Sequence, residues 1–201
     1  KFTNTLRLNL SHSSLSWHKK ICDKIKKINK NITILVDLPG IKPRTNNKKI
    51  ISIKKSQKIF FSSNKKIYSR RYQNIFLTNK IPKIKKKIKY FSLSDGKYVF
   101  KIVKKNPKFI LGVSTVNFNL YPKQGFNIPE SFYNSEEQFK LYKKTIKAIK
   151  NIKYDAVGLS YIQDTKIIKK IKKIIPDKII VSKIENSLGY KNSSSIIKFS
   201  E

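Results

Sequence analysis

The stretch "LRLNLSH" (Leu6–His12) alternates three leucines with Arg7, Asn9 and Ser11, and a helical pattern and the run "NITILVDLPG" (Asn31–Gly40) follow it. Alternation with period two reads as a strand, in which side chains at i, i+2 and i+4 share a face. Arg7, Asn9 and Ser11 therefore point one way, and Leu6, Leu8 and Leu10 the other. After "SHSS", Ile21, Ile25 and Ile28 recur at helical spacing, and the next apolar run stops at Pro39 and Gly40 as a second strand. Strand, helix, strand in that order implies parallel strands joined by a crossover, the unit of an α/β fold.

From about Asn46 to Gln124 the texture changes. Short runs such as "KIISI", "KIFF", "NIFLT", "YVFKIV" and "FILGVSTV" are separated by polar turns, among them "SDG" at Ser94–Gly96. Regular short strands with turn signals and no helical pattern predict an all-β module. The first texture then returns. Ser135 with Gln138 reads as a capping box for a helix bearing Phe139, Tyr142, Ile146 and Ile149. "YDAVGLSYI" reads as a strand, Asp164–Ile175 as a helix, "KIIVSKIEN" as a strand, and "NSSSIIKFS" as the start of another helix. The expected layout is an α/β domain interrupted by an inserted β module.

The formal net charge is +35, and all but Arg7, Arg44, Arg70 and Arg71 of the 46 basic residues are lysine. Such a charge favours phosphates, nucleic acids or anionic membranes. The lysines, however, are spread as pairs among isoleucine and asparagine, the mixture an AT-rich genome imposes. Nucleic-acid readers favour arginine for bidentate contacts, so the scarcity of arginine weighs against nucleic acid as the partner. The single cysteine, Cys22, excludes an internal disulfide and any multi-cysteine metal site, and reads as a small buried residue of the first helix. No run approaches the ~18 apolar residues of a membrane span, so no membrane is expected, and the default is a soluble protein of a reducing compartment. With no methionine anywhere, Lys1 is not a translation start, and the expectation is a processed chain or a piece of a longer one.

Four strands end in polar groups just before a loop: Arg7, Asn9 and Ser11 on the first, Asp37 closing "ILVD", Ser160 closing "AVGLS", and Lys183 with Glu185 in "VSKIENS". Any one of these reads equally well as a strand end emerging into solvent. Parallel sheets covered by helices should be apolar on both faces, except at the C-terminal strand ends of a barrel, where active sites sit. Taken together, the four ends suit phosphate chemistry. Guanidinium and ammonium groups hold phosphoryl oxygens, and Glu185 is a candidate ligand for a divalent cation, with further ligands needed from elsewhere.

The runs "LRLNLSHSSLSWHKKI", "LVDLPGIKPRT", "SLSDGKYVFKI", "YPKQGFNIPE", "YDAVGLSYIQD" and "IIVSKIENSLGYKN" resemble, in this order, successive motifs of the pyruvate kinases, across essentially the whole chain. That resemblance implies part of a (β/α)8 TIM barrel with an inserted all-β lid, a small β-barrel. The barrel would take residues 1–45 and 127–201, and the lid residues 46–126. It implies transfer of the phosphoryl group of phosphoenolpyruvate to ADP, giving pyruvate and ATP in cytoplasmic glycolysis. Lys183 matches the family's catalytic lysine, and Arg7 the arginine that contacts the phosphoryl group; Ser160 joins them at the substrate. Glu185 matches a ligand of Mg²⁺ (or Mn²⁺). Asn9, Ser11, Asp37 and the Leu38 carbonyl match a monovalent-cation site. Arg44, His12 and Lys123 would lie on the nucleotide side, and Asp95 on the lid. The complete protein would be a homotetramer.

Departures from the family pattern carry expectations of their own. Ser13 stands at a glycine position, Gln124 replaces a nucleotide-side lysine, Gln163 replaces an arginine, and Ile41 follows Gly40 where proline is usual. Lys42 takes the position at which a glutamate goes with a K⁺ requirement, and an ammonium there beside Asp37 would supply the charge of K⁺, so no K⁺ requirement is expected. The resemblance also implies a span from after the first barrel strand to before the second Mg²⁺ carboxylate. Half a barrel leaves open strand edges, so the isolated segment is expected to be inactive. A decayed, non-catalytic relative and a basic nucleic-acid-binding protein are the alternatives.

Overall fold

The computed structural model describes residues 3–200. The chain runs β1 (Thr5–Asn9), α1 (Leu15–Ile28), β2 (Thr33–Leu38), β3 (Ile51–Ile53), β4 (Lys58–Ser62), β5 (Gln73–Phe76), β6 (Tyr90–Leu93), β7 (Tyr98–Lys105), β8 (Phe109–Ser114), β9 (Phe118–Leu120) and β10 (Phe126–Asn127). It continues through α2 (Ser135–Ala148), β11 (Ala156–Leu159), α3 (Thr165–Ile174), β12 (Ile179–Ser182), α4 (Ser187–Lys191) and α5 (Ser193–Ile197). It divides into two compact units, Lys1–Ile41 with Asn134–Glu201, and Lys42–Tyr133.

Among the described residues the first unit holds a parallel sheet in the order β1-β2-β11-β12. One face of this sheet is apolar. Ile34, Val36 and Leu38 of β2, Val157 and Leu159 of β11 and Ile180 of β12 form one core with Tyr142 and Ile146 of α2 and Ile167, Ile168 and Ile171 of α3. Leu8 and Leu10 pack onto the same core, as the alternation in "LRLNL" predicts. The period of two then sends Arg7, Asn9 and Asp37 to the opposite face. Along the register, Asn9 lies beside Asp37, Asp37 beside Gly158, and Gly158 beside Val181.

The helices begin where short polar side chains meet free N–H groups. Ser14 accepts from Trp17 N at α1, and Asp164 accepts from Lys166 N and Ile167 N at α3. At α2 the capping box on Ser135 is not formed. Asn134 is the cap and accepts from Glu137 N, Ser135 Oγ donates instead to Asp164, and Gln138 Oε1 receives Ile41 N–H at 2.9 Å. The carboxamide one residue upstream reaches the free amide, which leaves Ser135 and Gln138 for tertiary bonds.

Asp155, just before β11, ties this unit together at the other end of the sheet, accepting from Ile34 N at 2.8 Å and pairing with Lys26 of α1 at 2.7 Å. Burial works to raise its pKa, but the bonds from Lys26 and the Ile34 amide outweigh it and hold the carboxyl below its usual range. A depressed folded-state pKa contributes stability that is present above the unfolded value and is lost as pH falls through the folded one. Asp155→Asn is therefore expected to flatten the acid limb of stability against pH, as read by thermal melts at stepped pH. Parallel acid limbs in variant and parent would contradict this.

The second unit is built of strands and turns. An antiparallel sheet in the order β10-β6-β7-β8-β4-β5 has its one parallel pair at β4-β5, and β3 pairs with β9. Phe61, Phe91, Phe100 and Phe126 fill its core, with ring centroids 4.8–5.4 Å apart in the contacting pairs. The insertion reads as 46–126 in the sequence and spans Lys42–Tyr133 as a compact unit. Bridges of Arg44 to Gly125, Thr45 to Leu77 and Lys83 to Phe132 draw the flanking residues into it.

Candidate functional site

Beyond the level of Asn9, Asp37, Gly158 and Val181, the next side chains on the same face belong to Ser160 and Lys183. The ladder continues past the strands to fix them: Lys183 N donates to Leu159 O at 2.9 Å, and Ile162 N donates to Lys183 O at 3.0 Å. The lysine backbone is thus pinned on both sides of Ser160 and Tyr161.

Asp37 is the centre of the arrangement. Its side chain is 3% exposed and takes the Lys183 ammonium on both oxygens, at 3.1 and 3.0 Å. Arg7 reaches the same carboxylate from β1 through Nε at 2.8 Å and through Nη2, while the guanidinium stays half-exposed. Gly158 leaves the room, because a Cβ there would lie 3.3 Å from Asp37 Oδ1. Ser160 Oγ receives Lys183 Nζ at 3.0 Å and donates to Leu38 O at 2.8 Å. One buried carboxylate and one hydroxyl therefore hold a guanidinium and an ammonium together at the strand ends. A cation so held is ready to face a second anion, and charge-assisted bonds to phosphoryl oxygens are what such groups make.

Glu185 stands beside them. Its Oε1 is 3.5 Å from Lys183 Nζ, and its Oε2 accepts the Tyr161 amide at 2.9 Å. Tyr161 reaches this bond from the left-handed region, at φ 58°. Among the described residues no group of three or more His, Cys, Asp or Glu side chains forms a metal cluster. Beside the lysine, Glu185 is a carboxylate that a divalent cation could use. That suits Mg²⁺, which commonly takes one or two carboxylates with substrate oxygens and waters.

Of the groups expected to hold a monovalent cation, Asn9, Asp37 and the Leu38 carbonyl already receive donors from the chain, while Ser11 contributes its backbone N–H to Asn9. Asn9 Oδ1 accepts Ser11 N–H at 2.9 Å, Leu38 O accepts Ser160, and Asp37 is covered by Arg7 and Lys183. His12 is exposed, and its carbonyl accepts Nε2 of the buried His18 at 2.7 Å, so His18 anchors the loop after β1. Ser13, at the glycine position, sits at φ 60°, the left-handed region that favours glycine. Gln163 is 2% exposed and serves the packing of the chain. Its Oε1 accepts Asn186 Nδ2 at 3.0 Å, and its carbonyl accepts Asn192 Nδ2 at 2.7 Å, holding the segment after β12.

The remaining residues singled out in the sequence lie in the β unit. The Lys42 ammonium, expected beside Asp37, instead contacts Asp95 Oδ1 at 2.7 Å, and this hydrogen bond holds the Asp95 carboxyl below its usual range; the cations on Asp37 are Arg7 and Lys183. Arg44 Nη1 donates to Lys123 O at 3.0 Å, and Lys123 itself is at φ 61°. Gln124 Oε1 accepts Ser94 Oγ at 2.6 Å.

Sequence reasoning misses the site role of Tyr142, whose hydroxyl donates to the Ser160 carbonyl, and of the Tyr161 amide. A tyrosine on the buried face of a helix is a signal for the first, since its hydroxyl needs a partner. Nothing in the sequence marks the second.

Residues 2–201 match the family model described as pyruvate kinase, barrel domain. The chain is 24% identical to a pyruvate kinase of Borreliella burgdorferi and 27% identical to one of Methanocaldococcus jannaschii, over 98% of this chain in both cases. It spans 42% of the length of each of these relatives. The structure resembles the crystal structure of pyruvate kinase from Pyrobaculum aerophilum with a TM-score of 0.71 at 17% identity, covering 98% of this chain and 46% of that one.

Proposed function

The chain belongs to the pyruvate kinase family, and from that membership we propose that the polypeptide carrying it transfers the phosphoryl group of phosphoenolpyruvate to ADP, giving pyruvate and ATP. The observation that supports this most is the Lys183 ammonium fixed between Asp37 and Ser160, with Arg7 on the same carboxylate. Phosphoryl transfer asks for positioning and neutralisation of charge rather than a covalent nucleophile. Lys183 neutralises the phosphoryl group as it moves between the two oxygens, and Arg7 orients it. Asp37 and Ser160 keep both cations aimed. Glu185 would hold Mg²⁺ or Mn²⁺, which when bound would supply charge stabilisation at the reacting oxygens.

In this reading the sheet unit is part of a (β/α)8 barrel, and Lys42–Tyr133 is its lid, carrying Asp95 and, on the nucleotide side, Arg44 and Lys123. His12 lies on the same nucleotide side. The complete protein is a homotetramer that works in cytoplasmic glycolysis. The test is pyruvate formation by the complete polypeptide from phosphoenolpyruvate and ADP with Mg²⁺. A folded wild-type protein that forms no pyruvate would overturn the reading in favour of a non-catalytic relative.

The same assay tests the cation requirement. Because Asp37, Leu38 O and Asn9 already receive donors from the chain, activity is expected in buffer free of K⁺. A rise of about tenfold or more on adding K⁺ would contradict this.

A further inference from the structure

We propose that Tyr142 is a positioning residue for Glu185 and Lys183, acting through the Ser160–Tyr161 peptide; this inference rests on the reading of these two groups as the metal and phosphoryl contacts. Tyr142 lies on α2, is fully buried, and touches neither side chain by hydrogen bond. Its hydroxyl donates to the Ser160 carbonyl, which belongs to the same peptide unit as the Tyr161 N–H. That N–H donates to Glu185 Oε2 at 2.9 Å. A peptide unit is planar, so holding its oxygen sets the direction of its N–H on the opposite side. On one flank of this peptide, Ser160 Oγ receives Lys183 Nζ at 3.0 Å; on the other, Tyr161 sits at φ 58°. A non-glycine residue in that region costs about 1 kcal/mol or more and persists only where its surroundings hold it.

Tyr142 holds the carbonyl side of this peptide, beside the ladder bonds of Lys183 to Leu159 and Ile162. Burial raises the Tyr142 pKa well above its usual value, and the charges of Glu185 and Asp37 push the same way, so the hydroxyl stays protonated and can serve as the donor. Gly40 adds the second constraint, since a side chain there would overlap the Tyr161 ring. The core of α2 is thereby wired to the orientation of the carboxylate, one peptide away from the lysine.

The test compares wild type, Tyr142→Phe and Tyr154→Phe in the complete polypeptide. Tyr154 belongs to the same core and is 6% exposed, so its variant controls for loss of a buried hydroxyl. Mn²⁺ affinity is read from the disappearance of the free-ion electron paramagnetic resonance signal, alongside the half-saturating Mg²⁺ in turnover and the melting temperature. Tyr142→Phe is expected to weaken Mn²⁺ binding and raise the half-saturating Mg²⁺ by about five- to tenfold, the worth of one hydrogen bond, while Tyr154→Phe leaves both unchanged. Unchanged Mn²⁺ affinity in Tyr142→Phe, or equal losses in both variants, would overturn the proposal and leave Tyr142 a core residue only. If the wild type forms no pyruvate, the functional reading fails, and the Mn²⁺ titrations separately decide the role of Tyr142: weaker binding in Tyr142→Phe alone supports it, and no binding to the wild type overturns it.

Discussion

Asp37→Asn is expected to destabilise the protein by about 2 kcal/mol, with the loss reduced when Arg7→Gln is combined with it. The carboxylate is 3% exposed and is the shared counter-charge of two cations. Removing its charge leaves Lys183, 29% exposed, close to Arg7 without the carboxylate they share, and turns an amide N–H toward existing donors. Breaking a buried pair by deleting one partner costs about 3–5 kcal/mol. Arg7 can swing into water from its half-exposed position, which discounts that figure. Urea unfolding of single and double variants measures both quantities. A loss below about 0.5 kcal/mol, typical of a surface exchange, would show that Asp37 is not the electrostatic centre of the strand ends.

The parts of this arrangement that follow from local chemistry are legible in the sequence. Alternation in "LRLNL" separates Arg7 and Asn9 from the leucines that face the core, because the side-chain period of a strand is set by its backbone. The crossover after it, and the polar ends "ILVD", "AVGLS" and "VSKIE", place four sets of polar groups at one end of a parallel sheet. The lateral order β1-β2-β11-β12 and the register that sets Asp37 beside Gly158 depend on pairing across more than a hundred residues. The cap of α2 moved one residue because Asn134 and Ser135 are both good caps, and tertiary partners for Ser135 decided between them. Ser13 and Tyr161 take left-handed conformations that their side chains do not announce. The contact from Tyr142 to Ser160 exists only once α2 packs on β11. The β unit shows the same division: its strands follow from turn chemistry and alternation, while its edges at Lys42 and Tyr133 follow from isolated bridges that no local pattern encodes.

Lys183→Ala is the exchange with the largest expected effect on rate, a fall of about 10³-fold or more in turnover. The ammonium is held by three contacts of 3.0–3.1 Å to Asp37 and Ser160, so its direction is set before any substrate arrives. A preorganised cation stabilises charge that develops in the transition state without reorganising at that moment. Asp37 keeps Arg7 as its partner in the variant, so the fold should survive the exchange better than it survives the loss of Asp37. The decisive measurement is therefore the rate of pyruvate formation from phosphoenolpyruvate and ADP with Mg²⁺, for the complete wild-type polypeptide and its Lys183→Ala variant, both shown to be folded. Activity in the wild type that falls by about 10³-fold in the variant is the predicted result. Equal rates in the two proteins would contradict the claim that Lys183, held by Asp37 and Ser160, carries the chemistry.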